Sequence, residues 1–336
     1  MGLYTSEGWL NFDFIMSLKT PFIYVVGGRG IGKTYGGLEY VLKNDITFML
    51  TRRTEKQQDM ISDPLLSPLK KPCKALELSY DVQLIEKNIS GIYVNDDFKG
   101  FGVSLYTMSS IRGFDASDVK IWLYDEFIPE RHEKRMKGEG RAYLNAYETI
   151  NRNRELEGEP PLKSICMSNS EDIGNPIFAE MHLIGVAEKM QAKGQEVYIN
   201  GERGITVLLP NKSPISEAKK QTALYKALPK DSTYLAMSLE NDFELEPCID
   251  PQRLSEYKIV VSVGDVNIYE HKSDSCMYYI SSHYSGTCER YATDATSLMH
   301  FKTAYKYVLT AYMVDRVKFE SIQIKRNFEK YFGMTP

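Results

Sequence analysis

At 336 residues the chain is long enough for two domains with separate hydrophobic cores. Hydrophobic residues make up 43% and charged residues 26%, the balance of an ordinary globular protein, and no run of about 18 apolar residues is present to span a membrane. Net charge is only −4, so any grip on nucleic acid has to come from local basic patches.

Met1 to Thr20 reads as a lead-in that packs Trp9, Leu10, Phe12, Phe14, Ile15 and Leu18 onto the main domain, and it lacks the basic-then-apolar order of a signal peptide. The apolar run Pro21 to Val26 predicts a strand, and Tyr35 to Lys43 predicts a helix. Between them stands Gly27-Gly28-Arg29-Gly30-Ile31-Gly32-Lys33-Thr34, which fits G-x-x-x-x-G-K-[ST] in the strand–turn–helix context the motif needs. Glycines let such a loop wrap a phosphate and aim its N–H groups at it, and the helix N-terminus adds a favourable dipole. Lys33 is then placed for the β- and γ-phosphates and the Thr34 hydroxyl for Mg²⁺.

A second strand is expected at Thr47 to Thr51, ending in Arg52-Arg53, with Thr54 capping a short helix to about Met60. From Ala75 to Met108 short β-runs broken by Asn88-Ile89-Ser90-Gly91 and Asn95-Asp96-Asp97 predict an antiparallel meander at the edge of the main sheet. Val119 to Tyr124 is an apolar strand ending in Asp125-Glu126, followed by a basic stretch from Arg131 to Arg141. A helix is expected from about Ala142 to Leu156, a strand from Lys163 to Ser168 ending at Asn169, and a helix from Asn175-Pro176 toward Lys193. Alternating strands and helices behind a phosphate loop predict an α/β fold with a mostly parallel sheet, its ligand at the strand C-terminal ends. Residues 1–194 are assigned to this ATPase domain, 195–230 to a linker or bridging element, and 231–336 to a smaller C-terminal domain of β-runs followed by helices. The five cysteines are odd in number, widely spaced and free of C-x-x-C pairs, which argues against disulfides and points to a reducing cytoplasmic compartment.

A nucleotide site also needs a carboxylate for Mg²⁺ and a group to activate water. Asp125 is the metal candidate and Glu126 the general base, although strands that end in solvated acids are common. No N-K-x-D tetrad is present, so ATP is expected rather than GTP. Arg152 near a helix end can neutralise a transferring phosphoryl group or simply be solvated, and the residues alone leave both open. Arg29 adds a second cation to the loop, expected to touch the γ-phosphate or to pair with Glu126. Asn169 can bond the γ-phosphate or the attacking water. Lys134, Arg135 and Lys137, and more weakly Lys56, are candidates for holding DNA phosphates, with a solvated loop as the alternative.

The order G-G-R-G-I-G-K-T, T-R-R-T, I-W-L-Y-D-E-F-I, N-R-N-R-E and I-C-M-S-N-S resembles the DNA-packaging (encapsidation) ATPases of small Picovirinae-type tailed phages. Tyr234 to Phe243 resembles another stretch of that family, so the likeness spans nearly the whole chain. The resemblance implies a P-loop fold of the additional-strand, catalytic-glutamate type and an ATP- and Mg²⁺-dependent ring, thought to be a pentamer. That ring drives double-stranded DNA through the portal into a prohead. It acts in the host cytoplasm, transiently at the portal vertex and outside the mature virion, in some members on a packaging RNA. By position it makes Lys33 and Thr34 the Walker A pair, Asp125 the Walker B aspartate, Glu126 the catalytic glutamate, Arg152 a trans-acting arginine finger and Asn169 a coupling position. It further implies an RNase H-like C-terminal domain without nuclease activity. Asp265, Asp294, Asp315 and Glu320 are available there but follow no metal-binding spacing. Two other readings differ in kind. A terminase would have an active nuclease, and a nucleotide-gated adaptor would hardly turn over.

Overall fold

The computed structural model describes residues 2–108, 115–130, 133, 136–211, 213–229, 232–241, 243 and 248–334. They divide into two compact units, Met1–Asp172 with Val186–Glu244, and Ile173–Gly185 with Leu245–Pro336.

The first unit is built on nine strands: β1 (Phe22–Val26), β2 (Phe48–Thr51), β3 (Tyr80–Glu86), β4 (Ile89–Val94), β5 (Asp97–Val103), β6 (Ile121–Asp125), β7 (Lys163–Ser168), β8 (Val197–Asn200) and β9 (Ile205–Leu208). Their order across the sheet is β3-β4-β5-β2-β6-β7-β1-β9-β8. From β5 to β9 every neighbouring pair is parallel, while β3–β4, β4–β5 and β8–β9 are antiparallel. The predicted mostly parallel α/β sheet is therefore present. β7 lies between the strand that feeds the phosphate loop and the strand that ends in the acidic pair, as the additional-strand type requires.

Period-2 alternation sorts the strand residues onto two faces. Ile23, Val25, Leu50, Ile121, Leu123, Ile165 and Met167 share one buried cluster with Leu38 and Val41 of the helix Lys33–Lys43 and with Phe12. On the other face Trp122 and Tyr124 stack on Tyr143 of the helix Glu139–Asn151, with ring centroids 5.2 and 6.2 Å apart. The Trp122 indole donates to the Thr51 hydroxyl at 2.9 Å, so this aromatic face buries its polar atom in a bond. Burial of each such side chain contributes about 1.5–3 kcal/mol.

The meander lands at the sheet edge as expected, and its β4–β5 turn places Asn95 and Asp96 at φ +51 and +69, the left-handed pair a two-residue hairpin needs. Four expectations are corrected. The strands at 195–230 form no linker, because β9 hydrogen-bonds beside β1 and extends the main sheet. The first unit continues to Glu244, whereas Ile173–Gly185 groups with the C-terminal unit, where the Arg326 guanidinium donates to the Gly174 carbonyl at 3.0 Å. The helix expected from Asn175-Pro176 to Lys193 is two helices, Pro176–Glu180 and Ile184–Lys193, parted at His182 with φ +53. The helix expected to run to Leu156 and to carry Arg152 ends at Asn151, with Arg152 as its C-cap.

The second unit has a five-stranded sheet in the order β13-β10-β11-β12-β14, formed by β10 (Tyr257–Val263), β11 (Val266–His271), β12 (Asp274–Ser281), β13 (Glu289–Tyr291) and β14 (Val317–Phe319). An antiparallel β10–β11–β12 meander is flanked by parallel partners on both sides. Phe301, Val308 and Phe328 from the following helices close its core.

Candidate functional site

The loop between β1 and the helix Lys33–Lys43 turns on Gly30 and Gly32, whose φ values of +71 and +94 suit a residue without a Cβ. It is held from several sides. Gly27 N–H donates to Ser168 O at 3.1 Å, and Leu10 N–H donates to Ile31 O at 3.0 Å. Arg29 N–H donates at 2.9 Å to Ser238 O, in the π-helical turn Ala236–Glu240, and the Asn241 amide donates to Val26 O at 2.9 Å. A Cβ on Gly28 would stand 2.5 Å from Ser238 O, so that glycine is required by close packing.

Lys33 is buried, and its ammonium donates to Gly27 O (2.7 Å), Gly28 O (2.8 Å) and Asn169 Oδ1 (3.0 Å). Burial pushes its pKa down to about 7; Asp125 opposes the shift, and Arg29 and Lys219 add to it. The Thr34 hydroxyl donates to both Asp125 oxygens, at 3.0 and 2.9 Å. A hydroxyl and a carboxylate held this close are the oxygen donors a Mg²⁺ ion takes, so Thr34 and Asp125 fit that cation. The glycine cradle with its buried lysine fits a polyphosphate.

Asp125 and Glu126 would point to opposite sides of an extended strand. Glu126 instead has φ +56, and both carboxylates reach one guanidinium: Arg52 Nη2 lies 2.8 Å from Asp125, and Arg52 Nη1 pairs with Glu126. Loss of hydration raises the Glu126 pKa, with Arg52 opposing and Asp125 adding. A cavity of about 30 Å³ opens between Glu126, Ile128, Ser168 and Asn169, room enough for a water molecule.

Arg29 does not pair with Glu126. It bonds Glu130 at 2.6 Å and Glu171 at 3.0 Å. Arg53 forms a buried bidentate pair with Glu139 at 2.6 and 3.0 Å and bonds Glu133, which lines the same cavity as Glu126, at 2.9 Å. Arg152 caps the end of the helix Glu139–Asn151 with φ +48 and ψ −128, a backbone that disfavours a side chain, and its guanidinium lies 3.6 Å from Asp115. Lys56 lies exposed on the helix Glu55–Ser62, and Lys137 is exposed in a turn. Lys134 and Arg135 lie outside the described residues. Sequence reasoning missed the Arg52 clamp, Lys219 and the Ser238 contact. Only the position of Arg52-Arg53 at a strand end hinted at the first.

Residues 5–329 match the podovirus DNA encapsidation protein (Gp16) family. The chain belongs to that family. It is 24% identical to the DNA packaging protein of Bacillus phage phi29, across 96% of this chain and 95% of the phage protein. Identity to the DNA packaging protein of Bacillus phage B103 is 22%, covering 93% and 94%. Its fold is similar to a chain of the bacteriophage Phi-29 viral genome packaging motor assembly, with TM-score 0.64, 17% identity and coverage of 97% and 99%. It is likewise similar to the Phi-28 gp11 DNA packaging motor, with TM-score 0.62, 16% identity and coverage of 97% and 98%. This encapsidation family is the one its motif order resembles.

Proposed function

We propose that the chain is the ATP-hydrolysing subunit of a motor that moves double-stranded DNA into a phage prohead. The observation that carries the reading is the meeting of Lys33, Thr34, Asp125, Glu126 and Asn169 at the ends of three adjacent parallel strands, in a member of the encapsidation family. Bound ATP with Mg²⁺ supplies the phosphoryl group and the metal charge. Lys33 would reach the β- and γ-phosphates, and the Gly27, Gly28, Arg29, Gly30, Ile31 and Gly32 backbone would cradle them. Thr34 and Asp125 would hold the metal. Glu126 takes a proton from the water that the cavity beside Asn169 accommodates. Arg52 pairs with Glu126, so the base works once that pair loosens.

Arg152 acts on a neighbouring subunit's nucleotide. Its strained backbone at an exposed helix end supports this role, since strain of this kind concentrates at functional positions. The partners are then double-stranded DNA, the portal and prohead, further copies of the chain in a ring, and in the pentameric phage pattern a packaging RNA. The exposed Lys56 and Lys137, with Lys134 and Arg135, are the proposed phosphate grip on DNA.

The C-terminal unit is proposed to be RNase H-like and non-catalytic. Its acids already serve local bonds: Asp265 accepts from Tyr331 at 2.8 Å, Asp294 caps a helix through Ser297, and Glu320 accepts from Ser281 and Ser282. Among the described residues no three ligand-type side chains gather as a metal group. The test is ATP hydrolysis by Lys33→Ala. The reading predicts its loss with the thermal midpoint kept, and unchanged hydrolysis contradicts it.

A further inference from the structure

The helix Pro214–Lys219 follows β9 and ends in a lysine aimed at the phosphate loop. Lys219 Nζ donates to the main-chain carbonyl of Arg29. A Cβ on Gly30 would stand 2.6 Å from the same nitrogen. The ammonium therefore rests on the middle of the loop, with the Tyr225 ring 5.6 Å away on another side.

Among the described residues no carboxylate comes within ion-pair distance of Lys219, and burial and the Arg29 guanidinium both disfavour its charge. Arg29 is neutralised by Glu130 and Glu171, and Lys33 faces Asp125. Lys219 is thus a third cation at one loop, held against a carbonyl and repelled by its neighbours. A polyphosphate in the cradle turns that repulsion into attraction.

Which phosphate it meets follows from the direction of the loop. The helix end of a phosphate loop cradles the α- and β-phosphates. Arg29, whose carbonyl Lys219 holds, sends its side chain to two carboxylates. It reaches Glu171 and Glu130, which line the same cavity as Glu126 and Asn169. Lys219 lies near enough to Lys33, the lysine read as meeting the β- and γ-phosphates, for its charge to disfavour the Lys33 ammonium.

We propose that Lys219 is a second lysine ligand of the nucleotide, reaching its terminal phosphate from beyond the last parallel strand of the unit. The proposal rests on the reading of the loop as the ATP site. Carrying the ligand on a short helix after β9 also ties that strand to nucleotide state.

The test is the affinity of the full chain for Mg²⁺-ATP and Mg²⁺-ADP, by displacement of a fluorescent nucleotide, in the wild type, Lys219→Gln, Lys219→Arg and Lys33→Ala. Lys219→Gln is expected to weaken ATP about tenfold and ADP by about twofold or less, as loss of one charge-assisted bond to the last phosphate predicts. Lys219→Arg keeps most of the ATP affinity, and Lys33→Ala loses both nucleotides. Wild-type affinities in Lys33→Ala overturn the ATP site itself. Loss in Lys33→Ala with wild-type binding in Lys219→Gln overturns only the role of Lys219. Equal weakening of ATP and ADP in Lys219→Gln also overturns it and makes the lysine a clamp of the loop. Thermal melting checks folding, and if the glutamine variant unfolds, Lys219→Met, which keeps the stem over Tyr225, carries the same comparison.

Discussion

Lys33 is buried against two loop carbonyls, and its pKa falls to about 7, so near pH 8 much of it is neutral. A phosphate favours the ammonium and raises that pKa again. ATP binding at pH 8 should therefore take up close to one proton per site, and at pH 6, where the lysine is already charged, the uptake should vanish. Calorimetry in two buffers of different ionisation enthalpy reads this directly, and uptake equal at both pH values contradicts it. The stability linkage has the matching sign. A lysine whose folded pKa is depressed destabilises the free protein below about pH 7, and the penalty is relieved as pH rises toward the unfolded value of about 10.4. That Lys33 and Thr34 sit together in one loop was legible from the motif, which fixes local geometry, whereas Asp125 was a candidate only by its place at a strand end. The partner of Glu126 was not, since nothing in the sequence says which of Arg29, Arg52 and Arg53 turns toward it. The left-handed backbone at Glu126 decides that.

The adjacent arginines at the end of β2 divide the labour between elements. Arg52 reaches the acids after β6, and Arg53 ties β2 to the start of the helix Glu139–Asn151, whose far end presents Arg152. Arg53 is 1% exposed and Glu139 is equally buried, so removing Arg53 takes the guanidinium from a buried carboxylate, whereas removing Glu139 leaves Arg53 with Glu133 at 2.9 Å. Arg53→Met should destabilise the protein by about 3–5 kcal/mol and Glu139→Met by less, with the double variant losing clearly less than the sum. Chemical denaturation measures all three, and additive losses contradict the pair. The central strands β1, β2, β6 and β7 were read from their apolar runs almost residue for residue, whereas the break expected at Asn88-Ile89-Ser90-Gly91 falls mostly within β4. The helix ends were not, because Arg152 and His182 break their helices in left-handed conformations that no glycine or proline announces. The strands β8 and β9 were found but misplaced, since pairing to a distant edge leaves no local trace in a short strand.

On the scale of the whole molecule, the chain is a family member that folds as two units, and its site is proposed to be completed by a neighbouring copy. An Arg152→Ala protein should bind ATP yet hydrolyse it poorly, and mixing it with Glu126→Gln should restore part of the rate through hybrid interfaces. No recovery at any ratio contradicts a finger acting in trans. Purified protein should also leave plasmid intact with Mn²⁺; cleavage lost on Asp265→Asn would favour the terminase reading. The family was visible in motif order, whereas the second unit's sheet could be read only as consecutive β-runs, because its order depends on pairings between distant strands.

The central claim, that this loop hydrolyses ATP to move DNA, is tested most directly by the ATPase rate per subunit against protein concentration, with and without double-stranded DNA, at two salt levels. The account predicts a rate that climbs steeply with concentration and with DNA and falls with salt, as shared sites and a phosphate-backbone grip require. A rate blind to both concentration and DNA contradicts it.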